Sequence, residues 1–167
     1  MDFRVGKIIS CEKNPNSEKL YNEVVDIGGG VHRKIGSGLQ KFLTLEQMNG
    51  AMVVVLCNLK EKKLADYMSH GMVMCAETPN QSEVQFLNPP EGSAPGDLIE
   101  FEGFPRSPPE ALPMKKNNDP WGNVSKCLQV DEDGVGCYVD PESNAKAIFK
   151  TAKGTCKSST IKKGVIK

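Results

Sequence analysis

The stretch VHRKIGSGLQKFLTLEQMNGAMVVVL, residues 31–56, carries the pattern on which the fold turns. Val31–Ser37 is β-prone and is broken by Gly38. Thr44-Leu45-Glu46-Gln47 then has the spacing of a capping box. In that motif the Thr hydroxyl accepts from the N3 amide, and the N3 side chain reaches back to the cap amide. A short helix is therefore predicted to start at Thr44, with Gly50 ending it. Met52–Leu56 is apolar at every position over strand length, the pattern of a strand buried on both faces. The order is strand, short helix, strand.

Strand signals continue on both sides of this stretch. Upstream, Phe3, Val5 and Ile8–Ile9 lie on a β-prone run, with a bend or bulge expected near Gly6 and the Ile-Ile pair. Asn14-Pro15-Asn16-Ser17 is a turn cluster. Tyr21–Ile27 reads as a second strand, closed by Gly28-Gly29-Gly30. No helix follows those glycines, so they form a hairpin turn and not a phosphate-cradling loop. Downstream, a basic loop containing Lys60-Glu61-Lys62-Lys63 separates Met52–Leu56 from a fifth strand, Met72–Ala76. Val84–Leu87 adds a short strand. Pro89–Gly96 is a turn-rich connector, and Leu98–Phe101 pairs after it. Five short strands with one small helix between the third and fourth is the order of an all-β, five-stranded OB-fold barrel. A β-sandwich is the competing architecture, and the position of the helix decides against it.

The chain changes character at Phe104. Pro105, Pro108, Pro109 and Pro113 exclude a helix and predict a linker or an extended wrap over the barrel. Weaker strand signals follow Pro120-Trp121, at Cys137–Val139 and Ala147–Thr151. The expected organisation is residues 1–103 as the barrel and 104–167 as a small β-rich extension. The extension has too few apolar residues to fold alone and is expected to pack on the barrel.

Composition bounds the function. The 167 residues carry 21 basic and 21 acidic side chains, net zero. The average hides segregation. Residues 1–75 are net +2, residues 76–113 net −6 and residues 114–167 net +4, with seven lysines and no acid after Glu142. Phosphate binding depends on a local face, so a zero average does not exclude a nucleic-acid partner. No apolar run approaches the ~20 residues of a membrane helix, and no signal peptide opens the chain, which points to the cytoplasm. None of the six cysteines is paired at zinc-ligand spacing, so no metal is expected, and buried free thiols are favoured over a disulfide framework. No Walker, Rossmann or His-Glu-x-x-His motif is present, and no cofactor is expected. A His70–Cys75 dyad is conceivable only if Cys75 leaves the apolar strand it is expected to occupy. An enzyme is therefore not expected.

Binding has better material. Barrels of this class take oligonucleotides between the loops after strands one and four. The first loop offers Asn16, Ser17 and Lys19. The second offers Asn58, Lys60, Lys62 and Lys63. Arg33 and Ser37 line the face between them. On spacing alone, Lys60–Lys63 is equally a phosphate contact or a solvated tip. Aromatic platforms are scarce: Phe3 and Phe42 read as core, and Tyr67 as either core or platform.

These residues resemble a known family. Asp2–Ile8, Asn14–Tyr21, Arg33–Leu39, Val53–Lys60, Ser69–Ala76 and Pro89–Asp97 look like the successive motifs of the tRNA-binding domain family. Met114–Trp121 and Cys156–Lys167 are similar to the C-terminal extension of its endothelial-monocyte-activating polypeptide II group, also seen in animal tyrosyl-tRNA synthetase. The resemblance implies a non-catalytic barrel that binds tRNA with little sequence preference and delivers it to an aminoacyl-tRNA synthetase catalytic domain or multi-synthetase complex. It implies a monomer, the extension standing where a second subunit sits in bacterial relatives. It implies RNA-facing roles for Asn16, Lys19, Arg33, Ser37, Asn58, Lys60, Ser69 and Met72, with Lys115 and Lys116 in a second patch. Two departures stand out: Asn14 replaces a frequent His, and Asn117-Asn118-Asp119 interrupt the usual lysine cluster. An alternative implied role is a cytokine-like or scaffold interaction module, because Arg4–Ser10 aligns with a heptapeptide linked to that activity. The chain starts almost on its first strand, so a domain of a longer protein is expected.

Overall fold

The computed structural model describes residues 1–107, 110–113 and 117–167. Strands β1 (Phe3–Lys13), β2 (Tyr21–Asp26) and β3 (His32–Ser37) precede helix α1 (Leu45–Met48) and strand β4 (Met52–Leu56). A hairpin of β5 (Lys62–Leu64) and β6 (Tyr67–Ser69) follows, then β7 (Met72–Val73), β8 (Cys75–Glu77) and β9 (Val84–Phe86). The C-terminal part contains α2 (Pro120–Ser125), β10 (Leu128–Val130), β11 (Gly136–Val139), β12 (Lys146–Ile148), β13 (Lys150–Thr151), β14 (Gly154–Thr155) and β15 (Val165–Ile166). One antiparallel sheet runs β3-β2-β1-β4-β7 and curls into a nearly closed OB-like barrel with α1 after its third strand. A second sheet runs β12-β11-β10-β15-β8-β9.

The long strand β1 makes the curl possible. Its first half, Phe3–Lys7, pairs with β4, and its second half, Lys7–Lys13, pairs with β2. A register shift between Ile8 and Ser10 marks the expected bulge and turns Ile9 outward. Gly6 sits where the two pairings meet. A Cβ there would lie 2.8 Å from Val25 Cγ1 and 2.9 Å from Val55 Cγ2, so only glycine allows the close approach. The Arg4–Ser10 heptapeptide is thus built into the barrel wall, with Val5, Gly6 and Ile8 buried. The capping box at Thr44 forms as expected, with both reciprocal bonds present. Gly28, Gly29 and Gly30 all have positive φ and close the β2–β3 hairpin.

Two sequence expectations need correction, and one element was not expected. The basic loop after β4 is not a loop throughout, because β5 and β6 form a hairpin inside it. The fifth barrel strand is not continuous. It breaks at Met74, so β7 pairs with β4 while β8 pairs with β9 and β15. The extension contains a helix, α2. Asp119 caps it, its Oδ1 accepting from Gly122 N at 3.0 Å, and Pro120 occupies the first turn, where a missing N–H costs nothing.

Two cores share one strand. Val53 and Val55 of β4 face a cluster inside the barrel with Ile8, Tyr21, Val25, Ile35 and Met48. Val54 and Leu56 face a second cluster with Phe3, Leu128, Phe149, Ile161 and Ile166. That is why Met52–Leu56 is apolar at every position: both faces are covered. Phe149 stacks edge-on against Phe3 and Phe101, with centroids 5.2 and 4.6 Å away. Among the described residues of the proline-rich segment, Arg106, Glu110 and Leu112 reach the barrel, Glu110 and Leu112 through Asn58. Arg106 donates to the carbonyls of Phe3 and Ile99 at 3.2 and 2.9 Å and pairs with the buried Asp2. Burial opposes ionisation of Asp2, but hydrogen bonds from Arg4 and Arg106 outweigh it and lower its pKa.

Phe149→Ala is expected to cost about 3–5 kcal/mol, the usual range for a buried aromatic. Because the second core spans barrel and extension, denaturant unfolding followed by Trp121 fluorescence and by far-UV circular dichroism should give coincident transitions.

Candidate nucleic-acid interface

The loop after β1 and the β5–β6 hairpin meet at one end of the barrel, and a single carboxylate joins them. Asp66, at the hairpin tip, accepts from Asn14 Nδ2 at 2.8 Å and from Asn16 Nδ2 at 2.6 Å. Those two amides hold its pKa below the usual carboxylate value. Asn14 also bonds Asn22 and caps the Asn16 backbone amide, so the turn is rigidly presented. On its other side the same loop is tied to residues 39–42, because Gln40 N donates to Lys19 O at 3.2 Å and Gln40 Nε2 to Ser17 O at 3.0 Å. The hairpin lies across the outer face of β2 and β3. Leu64 packs over Gly36, and Tyr67 Oη donates to Glu23 O at 2.8 Å.

The structure brings together most of the expected site residues, but not all as donors. Lys19, Lys60, Lys62 and Lys63 are exposed and make no ion pair among the described residues. Strand alternation divides the hairpin lysines. Lys62 opposes the buried Ser69, whereas Lys63 opposes the exposed Met68 and stands on the outer face. Arg33 lies half-buried against the imidazole of His70, whose ring stands 3.6 Å from Glu61. Burial and then the Arg33 charge lower the His70 pKa, and Glu61 opposes them.

Besides Ser37, whose hydroxyl donates to the buried Glu23, three expected RNA-facing residues have their polar groups engaged within the protein. The Asn58 amide accepts from Asp2 N at 3.0 Å and donates to Glu110 O at 2.8 Å, pinning the wrap to the end of β4. The buried Ser69 hydroxyl accepts from Gly36 N at 3.0 Å and so helps close the barrel. Asn16 spends its amide on Asp66. A binding role for these three in this conformation passes through backbone or shape rather than through a free side-chain donor. Ser37 and Met72 are half-buried and line one cleft with Phe42. Lys115 and Lys116 lie outside the described residues.

The lysine-rich tail is largely neutralised. Lys150, Lys153 and Lys167 reach Glu102, Asp97 and Glu77 of the acidic middle segment at 3.9, 2.9 and 2.8 Å. Lys146 and Lys163 pair with Asp131 and Glu132. Such surface pairs add little stability. Their effect is on the local charge: among the described residues, five of the seven lysines after Glu142 are paired, while Lys157 and Lys162 are exposed without an ion pair. Sequence reasoning missed Lys13 and Lys41, exposed and lining one cleft beside the first loop, and it missed the Asp66 latch. It also placed Phe42 in the core, whereas Phe42 is 38% exposed. Nothing in local pattern distinguishes Phe42 from its buried neighbours Leu39 and Leu43.

No catalytic arrangement accompanies this surface among the described residues. The Cys75 thiol is buried, raised in pKa by burial, and donates to Val73 O at 3.9 Å, away from the Arg33–His70–Glu61 group. Among the described residues no three His, Cys, Asp or Glu side chains converge to hold a metal. Among the described residues no helix is long and apolar enough to cross a membrane.

One buried acid stands behind the face. Glu23 is fully buried on β2, accepts from Ser37 Oγ through Oε1, and has no partner for Oε2. Burial pushes its pKa up to about 8 despite the Ser37 hydrogen bond. The folded protein therefore holds this proton more tightly than the unfolded chain does. Stability is full below the unfolded value near 4.5 and is lost as pH rises to about 8. Glu23→Gln should flatten the fall of Tm between pH 5 and pH 8.5. Asp66→Ala should speed amide hydrogen exchange in residues 62–69 while leaving β1, β2 and β4 protected.

The fold agrees with comparisons to known proteins. Residues 3–98 match the profile of the family described as "Putative tRNA binding domain". Over 167 residues the chain is 40% identical to the cytoplasmic methionine–tRNA ligase of Arabidopsis thaliana, covering all of this chain and 20% of that protein. It is 38% identical to the aminoacyl tRNA synthase complex-interacting multifunctional protein 1 of Mus musculus, covering all of this chain and 51% of that protein. The chain thus spans from a fifth to about half of the length of these relatives. The crystal structure of the C-terminal domain of Plasmodium vivax p43 superposes with a TM-score of 0.88 at 30% identity, covering 99% of this chain and 96% of that one. With its barrel, its motif positions and its extension all matched, the chain belongs to the tRNA-binding domain family.

Proposed function

We propose that this chain is a non-catalytic module that captures tRNA for an aminoacyl-tRNA synthetase, as an appended domain or as part of a free-standing cofactor. The observation that carries this reading is the basic barrel end. Lys19, Lys60, Lys62 and Lys63 are exposed and unpaired among the described residues, on two elements that Asp66 holds together. The relatives named above, two of them defined by tRNA ligation or by the synthetase complex, support the same partner class. The cytoplasmic ligase among them supports a cytoplasmic setting.

The mechanism follows from the groups available. Lysine ammoniums contact phosphates and release condensed counterions, which gives affinity without sequence information. Folded RNA is then sorted by shape, because a rigid end with fixed loop spacing fits some backbone curvatures and not others. Tethering tRNA in this way raises its effective concentration at a linked catalytic domain without adding a catalytic contact. The strand β15, seated on the edge of β8, supports action as a single copy, since it occupies an edge that another chain could otherwise extend.

Lys60→Ala combined with Lys63→Ala should weaken tRNA binding. The slope of log affinity against log salt should become shallower by about 0.7–0.9 for each phosphate that is no longer neutralised. Fluorescence anisotropy with labelled tRNA over a salt series measures both. Unchanged affinity with a flat salt response in the parent protein would rule the reading out.

A further inference from the structure

The loop between β3 and α1 carries an exposed aromatic ring in a place where the fold did not need one. Leu39 and Leu43 on the same loop are buried, whereas Phe42 between them is 38% exposed. Among the described residues it is the exposed aromatic of the barrel: Phe3 and Tyr21 are buried, and Tyr67 is half-buried over Glu23. The backbone beneath Phe42 is fixed. Phe42 N and Leu43 N both donate to Leu39 O at 3.0 Å, Tyr21 Oη donates to Leu43 O at 2.7 Å, and Gln40 ties the loop to residues 17–20. A rigid ring loses little entropy on binding, which is the property of a platform.

Phe42 stands on the ridge between two clefts. One, of about 280 Å³, is walled by Leu39, Met72 and Val84, with Ser37, its hydroxyl donating inward to Glu23, at its side and the Lys167–Glu77 ion pair among its lining groups. The other, of about 300 Å³, is lined by Lys13, Lys41, Gln40 and Thr44. Both lysines are exposed and without an ion pair among the described residues. A mainly apolar cleft thus adjoins one with two lysines, with an aromatic ring between them. That is the chemistry of a nucleotide: a flat base that stacks and a phosphate one ribose away.

We propose that this double cleft seats one unstacked nucleotide of the bound RNA, its base on Phe42 over the Ser37–Met72 side and its phosphate at Lys13 and Lys41. The proposal rests on the tRNA-capture reading and adds to it an interaction that shape and charge alone do not provide. Unpaired loop bases are the part of a folded RNA that can be presented in this way, and stacking tolerates any base because each has a π-face.

The test uses the whole chain and unmodified tRNA, with Phe42→Ala, Phe42→Leu and Phe42→Trp compared across a salt series. Stacking on one base corresponds to a roughly 5- to 150-fold change in affinity. Phe42→Ala and Phe42→Leu should lose affinity within that range, Phe42→Trp should retain it, and all three should keep the parent salt slope. Lys13→Ala with Lys41→Ala should instead reduce the slope by about 0.7–0.9 for each phosphate released. Ultraviolet cross-linking should attach a base to the peptide containing Phe42. Full tRNA affinity in Phe42→Ala, with cross-links confined to the β5–β6 hairpin, overturns the nucleotide site while leaving tRNA capture intact. Binding of an extended apolar peptide that is lost in Phe42→Ala while tRNA affinity is unchanged overturns it in favour of a protein occupant. Absence of salt-dependent tRNA binding in the parent chain removes both.

Discussion

Everything in this molecule hangs on the break at Met74. The fifth strand must close the barrel and must also begin a second sheet, and one straight strand cannot do both. The chain divides the work. Met72–Val73 stays on β4, Met74 turns its buried side chain into the second core, and Cys75–Glu77 departs to pair with β9 and the C-terminal strand. Met74 keeps its own amide bonded to Val54 O at 2.8 Å and its carbonyl bonded to Leu87 N at 3.1 Å, so the break leaves no orphaned backbone group. Barrel and extension therefore form one hydrogen-bonded body rather than two beads.

The binding end is assembled on that body by polar latches rather than by packing. Asp66 fixes the hairpin to the first loop, Gln40 fixes the first loop to the Phe42 loop, and Ser69 fixes the hairpin's return to β3. Each latch uses a small polar group as structure and so leaves the longer cations unencumbered. A division of labour results in which asparagine and serine hold position while the lysines stay exposed.

Much of this was legible in the sequence, and the reasons are local. The capping box at Thr44, the glycine turn at 28–30 and the all-apolar Met52–Leu56 are short-range signals, and each appears as expected. The break at Met74 was not legible, because it is imposed by β15, which lies about ninety residues away in sequence. The β5–β6 hairpin was hidden by its lysines, which mask strand propensity on an exposed edge. Helix α2 was hidden by brevity. At the candidate site, charge was readable but commitment was not. Asn58 and Ser69 look like surface donors until their partners, Asp2, Glu110 and Gly36, are seen. Phe42 looks like core until its neighbours fill the core without it.

The strand Met52–Leu56, covered on both sides, has a consequence for how such modules travel between genes. A barrel copied into a new protein without its C-terminal partner would arrive with the outer wall of β4 bare, together with Phe3, Met74 and Ala76. It would have to find another cover, either a different appended segment or a second copy of itself. The apolar wall thus acts as a socket that the extension fills.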